Sequence, residues 1–235
     1  MRAARATDPE AGVIRFQPHQ RIEHLVLIVT FIALAVTGLV QRYYSVGLSQ
    51  WLISVMGGIE TTRLIHRGFA LVLTLGIAYH LAWLDYRLFT RHARPSMLPT
   101  FQDFRDIVNE LKRGLGLKAA PTHFGRYDYR QKFEYVGLIC GSLILIVTGF
   151  ILAYPVAVTR LFDGQVVAAA LEFHGYEATL AVLVILIWHL WDVVFKPGIF
   201  PGDTSIFTGR ISPERLREEH YLEYAELTRK APAGE

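Results

Sequence analysis

The sequence predicts an all-α integral membrane protein: a four-helix bundle that crosses the bilayer four times, with both termini cytoplasmic. Three observations carry this. The 235-residue chain is 52% hydrophobic and its mean hydropathy is positive, beyond the ordinary range of a soluble domain. Its apolar residues gather into four blocks of spanning length, about 22–40, 64–84, 133–153 and 173–195. Lys and Arg number four in the N-terminal tail, ten from Arg87 to Lys132 and six in the C-terminal tail, whereas the other two connections carry only Arg42, Arg63 and Arg160. Positive charge collects on the cytoplasmic side, so both tails and the middle loop belong there. Backbone groups in lipid must satisfy one another within their own segment, which leaves helices as the spanning structure. The net charge of +3 follows from this inside bias. The chain has no basic, aromatic-interleaved surface of the kind that binds nucleic acid.

Taken in order, residues 1–21 form a polar tail with Arg2, Arg5, Arg15 and Arg21. The first apolar block is too long for a cleaved signal and no small-residue cleavage site follows it, so it reads as a retained span. The next connection holds Trp51, Leu52, Ile53, Val55 and Met56 ahead of Gly57-Gly58, a short interfacial element with Trp51 at headgroup level. After span two, the loop 85–132 contains an amphipathic helix. Thr100 and Asp103 match a capping box, and Phe101, Phe104, Ile107, Val108 and Leu111 recur at helical spacing. Arg105, Lys112 and Arg113 flank that stripe, which places the helix on the membrane surface. Spans three and four complete a membrane domain over 22–195. The tail 196–235 is soluble and carries one short helix from Ser212 to about Thr228. Cys140, the only cysteine, lies mid-span as a small packing residue and excludes a disulfide framework or an iron–sulfur site.

Ionisable side chains at membrane depth are costly and functional. His66 and His80 lie 14 residues apart on one span, and His174 and His189 lie 15 apart on another. Fourteen helical residues advance about 21 Å and return to within about 40° of the starting face. Each span thus offers two imidazoles at two depths, and two such spans facing one another make two stacked bis-histidine sites. Neutral imidazole is a strong axial ligand for haem iron, and two of them leave no open position, which favours electron transfer over oxygen chemistry. The outer pair is His66 with His174. The inner site is over-supplied: His24 and His80 both lie at the depth of His189, and His80 stacks below His66. The 15-residue gap turns His189 about 60° from His174, which favours a ligand from a third helix. His19, His92, His123 and His220 lie in polar segments and read as solvated.

The two halves resemble each other. Gln20-Arg21-Ile22-Glu23-His24 followed by Thr37-Gly38 aligns without gaps on Gln131-Lys132-Phe133-Glu134-Tyr135 followed by Thr148-Gly149. Ala78-Tyr79-His80-Leu81 likewise matches Ile187-Trp188-His189-Leu190. A two-helix unit is used twice in parallel orientation. Tyr135 stands where the first half has His24, so span three supplies no ligand. Arg21, Arg63 and Arg67 are candidates for haem propionates, since guanidinium binds carboxylates bidentately, or else snorkelling anchors. Gly38, Gly68, Gly76, Gly141 and Gly149 are positions for close helix or macrocycle approach.

Arg21-x-x-His24 through Thr37-Gly38, Arg63-x-x-His66, Gly125-Arg126-Tyr127-Asp128-x-x-Gln131-Lys132, Thr148-Gly149 and His174 with His189 together resemble the cytochrome b (gamma) subunit of membrane-bound formate dehydrogenase and its prokaryotic diheme relatives. The ordered set covers nearly the whole chain. The resemblance implies two b-type haems, an outer one on His66 and His174 and an inner one on His24 and His189. The chain departs from the pattern by adding His80, and its arrangement is also similar to cytochrome b of the bc-type quinol-oxidising complexes. His24 and His80 therefore both stand as partners of His189, and a third haem on the surplus histidine is the further option. The resemblance also implies a menaquinone or ubiquinone pocket beside the inner haem, lined by the segment Gly125 to Gln131. There Asp128 replaces the family's asparagine. It is a candidate for quinone protonation or a helix N-cap, with Tyr127 and Gln131 as weaker quinone contacts.

The function implied is that of an electron-transfer subunit in the inner (cytoplasmic) membrane of a prokaryote. It would carry electrons between an outer-face redox subunit, iron–sulfur or multihaem cytochrome c, and the quinone pool. The residues are equally compatible with quinol oxidation feeding a multihaem cytochrome c. The rival from another class is a non-redox membrane transporter or metal-binding protein whose histidines relay protons or bind metal.

Overall fold

The computed structural model describes residues 12–93 and 95–230, so Arg2, Arg5, Arg94 and the last five residues of the C-terminal tail lie outside the described residues. A two-residue strand, β1 (Val13–Ile14), precedes α1 (Pro18–Arg42), which Pro18 opens at a position where its missing N–H costs nothing. The interfacial element is α2 (Gly47–Val55), with Leu48, Trp51 and Val55 all exposed. Gly57 and Gly58, at φ +88° and +97°, make a reversal that a side chain would resist. Then α3 (Ile59–Asp85) runs on through a π turn at Tyr86–Thr90. The loop helix is α4 (Phe101–Gly114), where the Thr100 N–H and hydroxyl both donate to Asp103 Oδ2, at 2.6 and 2.7 Å. The third span, α5 (Tyr129–Ala153), stops short of Pro155, which opens the single turn α6 (Pro155–Val158). The fourth, α7 (Gln165–Val184), continues through π turns at Ile185–His189 and Trp191–Phe195. The tail holds α8 (Ser205–Thr208), β2 (Arg210–Ile211), α9 (Pro213–Glu219) and α10 (Tyr221–Lys230). With their π extensions, the four long helices span 25, 32, 25 and 31 residues, each above the roughly 20 needed to cross the hydrocarbon core.

The chain forms two compact units. One comprises 22–92 and 138–203 and contains the bulk of the four spans. Its large apolar side chains, such as Leu25, Val29, Leu71, Val147 and Leu180, are exposed, while Thr30, Thr37, Thr62, Ser142 and Ala170 are buried. This inverts the pattern of a soluble core. Where lipid is the solvent, small and weakly polar residues pack the helix interfaces and apolar ones face outward. Cys140 is exposed on α5 rather than packed.

The other unit takes in the described parts of 1–21, 93–137 and 204–235. β1 pairs antiparallel with β2, Val13 opposite Ile211 and Ile14 opposite Arg210. Buried Arg15 donates to the Glu223 carboxylate and to the Arg126 carbonyl, and Arg126 returns a hydrogen bond to the Arg15 carbonyl and pairs with Glu223 at 2.6 Å. Two tail expectations fail here together. His220 is buried, not solvated: its Nδ1–H donates to the Gly125 carbonyl at 2.8 Å, and its Nε2 lies 3.0 Å from Arg15 Nη2. The single tail helix is correspondingly broken into α9 and α10 at His220, whose backbone leaves the helical region (φ −134°, ψ 51°) to deliver the ring. Burial, reinforced by the Arg15 guanidinium, lowers the pKa of His220 and keeps it neutral. The N-terminal segment, middle loop and C-terminal tail are knit into one unit, so they share one side of a membrane, as four crossings require.

Candidate functional site

Two histidine pairs meet inside the spanning unit. His66 of α3 faces His174 of α7 with ring centroids 6.3 Å apart and planes at 71°. His24 of α1 faces His189, at the end of the first π turn beyond α7, again at 6.3 Å, with planes at 42°. An imidazole nitrogen lies about 1.1 Å from its ring centroid and bonds a first-row metal at about 2 Å. Two imidazoles on opposite sides of one metal therefore have centroids about 6.2 Å apart, and both pairs stand at that spacing. Among the described residues no three of His, Cys, Asp and Glu converge as a chelate.

The repeated Thr-Gly dipeptides explain how the His66–His174 pair is held. Thr37 Oγ1 lies 2.9 Å from His66 Nδ1, and Thr148 Oγ1 lies 2.9 Å from His174 Nδ1. Each hydroxyl already donates one turn back along its own helix, to the Ala33 carbonyl and the Ile144 carbonyl, at 2.7 Å in both cases. With its proton committed, each threonine oxygen accepts from Nδ1–H. The tautomer is thereby set, and the Nε2 lone pair is left for a ligand bond. Each following glycine gives the ring room. A Cβ on Gly38 would lie 3.2 Å from His66 Cε1, and one on Gly149 would lie 3.3 Å from His174 Cε1. Gly68 and Gly76 have no such neighbour within 4 Å.

The π turn at Ile185–His189 alters the spacing argument for α7. A π turn takes up one extra residue, so the 15-residue separation winds like 14, and His189 returns to within about 40° of the His174 face. On the other side, the structure brings His24 to His189 and sets His80 Nδ1 2.9 Å from Glu23 Oε2. Glu23 thus engages the surplus histidine, and its Oε1 is buried without a hydrogen-bond partner.

The remaining expected residues are placed as follows. Arg21 donates to the Phe207 carbonyl. Arg63 pairs with Glu60 one turn away at 2.7 Å, and Arg67 is exposed beside His66. Asp128 is buried and caps α5: its Oδ1 accepts the Gln131 N–H at 3.0 Å, and Gln131 Oε1 accepts the Asp128 N–H at 3.2 Å. Its Oδ2 accepts from Arg130 at 2.6 and 3.0 Å. Tyr127 lies under the Arg15 and Arg126 guanidinium groups, 5.4 and 5.6 Å from its ring centre.

Two further polar groups escaped the sequence reading. Arg42, at the end of α1, pairs with Glu172 at 2.9 Å, lies 5.0 Å over the Tyr176 ring and packs against Gly175, beside His174. Glu177, one turn along α7 from His174, sets its carboxylate against α5, where a Cβ on Gly141 would meet Oε1 at 2.5 Å. A scan for charges inside the apolar blocks would have found Glu177. Arg42 was counted only toward topology.

A multi-pass helical membrane protein with facing imidazole pairs inside its helices has the construction of a membrane-bound b-type cytochrome. Comparison with known proteins agrees. The sequence profile described as prokaryotic cytochrome b561 matches residues 15–202, and the chain belongs to that family. Membership implies b-type haem, which the paired histidines fit. The chain is also 24% identical over 215 residues to the formate dehydrogenase cytochrome b556(fdo) subunit of Escherichia coli strain K12, covering 92% of this chain and 93% of the relative. Same-named subunits from two further Escherichia coli strains match at the same level. The family resemblance read from the ordered motifs is borne out.

Proposed function

We propose that this protein, a cytochrome b membrane subunit of a formate-dehydrogenase-like complex, holds two b-type haems and carries electrons across the inner membrane of a prokaryote to quinone. The reading rests above all on the shared 6.3 Å separation of two histidine pairs that lie at different levels of α7. His66 and His174 are the outer ligands; His24 and His189 are the inner ones. His80 is a positioning residue tied to Glu23 beside His24, and the third-haem option drops away with that assignment. Bound haem supplies one-electron transfer. The residues of the chain set its ligands, tautomer, spacing and exclusion from water.

The formate dehydrogenase relatives favour the direction from an outer-face redox subunit to the quinone pool. Tyr127, Asp128 and Gln131 are the candidates for the quinone side. Asp128 has both oxygens engaged, so its part in proton delivery would require release of the Arg130 pair. Two measurements test the proposal. A reduced-minus-oxidised spectrum with haem extraction should give two haems per chain, falling to one in His66→Ala and to one in His24→Ala. A single haem in the unaltered protein, or loss in His80→Ala but not in His24→Ala, overturns the assignment. Asp128→Asn should alter the pH dependence of quinone reduction, and an unchanged profile removes Asp128 from the proton path.

A further inference from the structure

α4 is built inside out. At about 100° per residue, Phe101, Phe104, Val108 and Leu111 fall within an arc of about 80°, and Asp103, Asp106 and Glu110 fall in an arc centred roughly 150° away. A water-facing helix would bury the first set and expose the second. Here Phe101 is 80% and Leu111 62% exposed, while Asp103 is 4% and Asp106 6% exposed. The acidic face is fastened down. Lys132 near the start of α5 donates to both oxygens of Asp103, at 2.8 and 2.9 Å, Gln102 donates to Asp106 at 2.9 Å, and Thr122 donates to Glu110 at 2.5 Å. The apolar stripe therefore faces outward, and Leu115 and Leu117, just beyond the helix, are exposed as well. A contiguous apolar surface of this kind marks an interaction site.

The covering phase is identified by two further features. Phe104 meets Phe133 of α5 edge-on at 5.8 Å, so the stripe is continuous with the surface of a membrane-spanning helix. Arg105 and Lys112 stand at the edge of the stripe and are exposed, the Arg105 guanidinium lying 5.8 Å over the Phe101 ring. Apolar residues in the middle with cations along the rim match the acyl–headgroup boundary of a bilayer carrying anionic lipid. We propose that α4 lies in the membrane interface with its Phe101–Leu111 stripe among acyl chains, and that Arg105 and Lys112 bind anionic phospholipid headgroups. The middle loop then has a lipid-binding role of its own, independent of which haem ligands are correct.

The test uses the full-length protein with Cys140→Ser and a single fluorescent label at Val108→Cys. Leu111→Cys serves as a second site on the stripe, and Lys118→Cys as a control beyond the helix. The proteins are placed in nanodiscs of phosphatidylcholine, alone or mixed with phosphatidylglycerol. Labels at 108 and 111 should be quenched by shallow nitroxide lipids and shielded from iodide, with the reverse at 118. Nitroxide phosphatidylglycerol should quench better than nitroxide phosphatidylcholine. That preference should fall about fivefold for each of Arg105→Gln and Lys112→Gln. Iodide access without lipid quenching at both stripe sites overturns the proposal, as does shielding from both quenchers, which means that a protein covers the stripe. Equal quenching by the two lipids, unaffected by the Gln variants, overturns the anionic-headgroup part.

Discussion

Replacing Thr37 by valine keeps the volume of the side chain and deletes a single oxygen, the acceptor for His66 Nδ1–H at 2.9 Å. Thr37 is 3% exposed, so water cannot take its place. A buried donor left unsatisfied costs about 1–3 kcal/mol, or roughly 5- to 150-fold in an equilibrium. Loss of the outer partner of a metal-bound histidine typically weakens metal binding about 10- to 100-fold. The two routes overlap at about 10- to 100-fold weaker haem retention at the His66–His174 site. The electronic consequence has a sign as well. A hydrogen bond from Nδ1–H makes the imidazole a better donor and favours oxidised iron, so its removal raises the midpoint potential, by about 40 mV for each kcal/mol in a one-electron couple. The assay is potentiometric titration of the haem absorption bands together with haem content per polypeptide. Thr37→Val should raise one of two components and leave the other in place, and Thr37→Ser should restore it. Thr148→Val should shift the same component, because His174 faces His66. If the two valine variants shift different components, or neither does, the threonine-locked pair is refuted.

Gly38→Ala should cost the same site its haem, because the new methyl group would stand 3.2 Å from His66 Cε1; haem stoichiometry measures it, with Gly68→Ala, which meets nothing within 4 Å, as the silent comparison. Glu23→Gln should weaken the hold on His80 while leaving both haems bound, readable as two spectral components with a changed inner one. Acidification should loosen the unit that contains His220. Its pKa is lowered in the folded chain by burial and by Arg15, with Glu219 and Glu223 opposing. Its contribution is therefore complete above the unfolded value of about 6.5 and is lost as pH falls through the folded value. Protection of the amides of 210–230 from hydrogen exchange, taken relative to the intrinsic rate at each pH, should fall from pH 7 to pH 5.5, and the fall should be smaller in His220→Gln. Asp103 behaves similarly at lower pH. Burial works against its ionisation, but hydrogen bonds from Lys132 and Thr100 prevail and hold its pKa down. The stabilisation it adds is present above the unfolded value of about 3.9 and disappears as pH falls through the folded one, so Asp103→Asn should flatten the acid limb of a thermal-melt series.

The spans were legible in the sequence because hydropathy integrates over some 20 residues and lipid permits only one backbone solution. The His66–His174 pair was legible because each histidine stands at the start of its apolar block, spans two and four, and so at the same membrane depth. The contest for His189 was not, and two local events show why. The π turn at Ile185–His189 changes the register by one residue, which no α-helical count anticipates. The Glu23 contact with His80 depends on two helices whose relative rotation no single periodicity encodes. Thr37 and Thr148 stood out as repeat positions, but a threonine that donates back along its own helix and accepts from a neighbour looks, in sequence, like any threonine in a span. His220 was misread for a related reason: polarity of the surrounding segment says nothing about a carbonyl and a guanidinium that arrive from residues roughly a hundred and two hundred positions away.

The pairing of Val13 and Ile14 with Arg210 and Ile211 has a consequence for how the chain is made. A ribosome adds about 5–20 residues per second, so the first strand waits on the order of 10–40 s for its partner to emerge. Throughout that interval the Arg15 guanidinium has neither Glu223 nor His220 to meet. The joining of the two ends is therefore among the last events in building the chain, set by how late residues 210–223 emerge rather than by any property of the strand that waits for them.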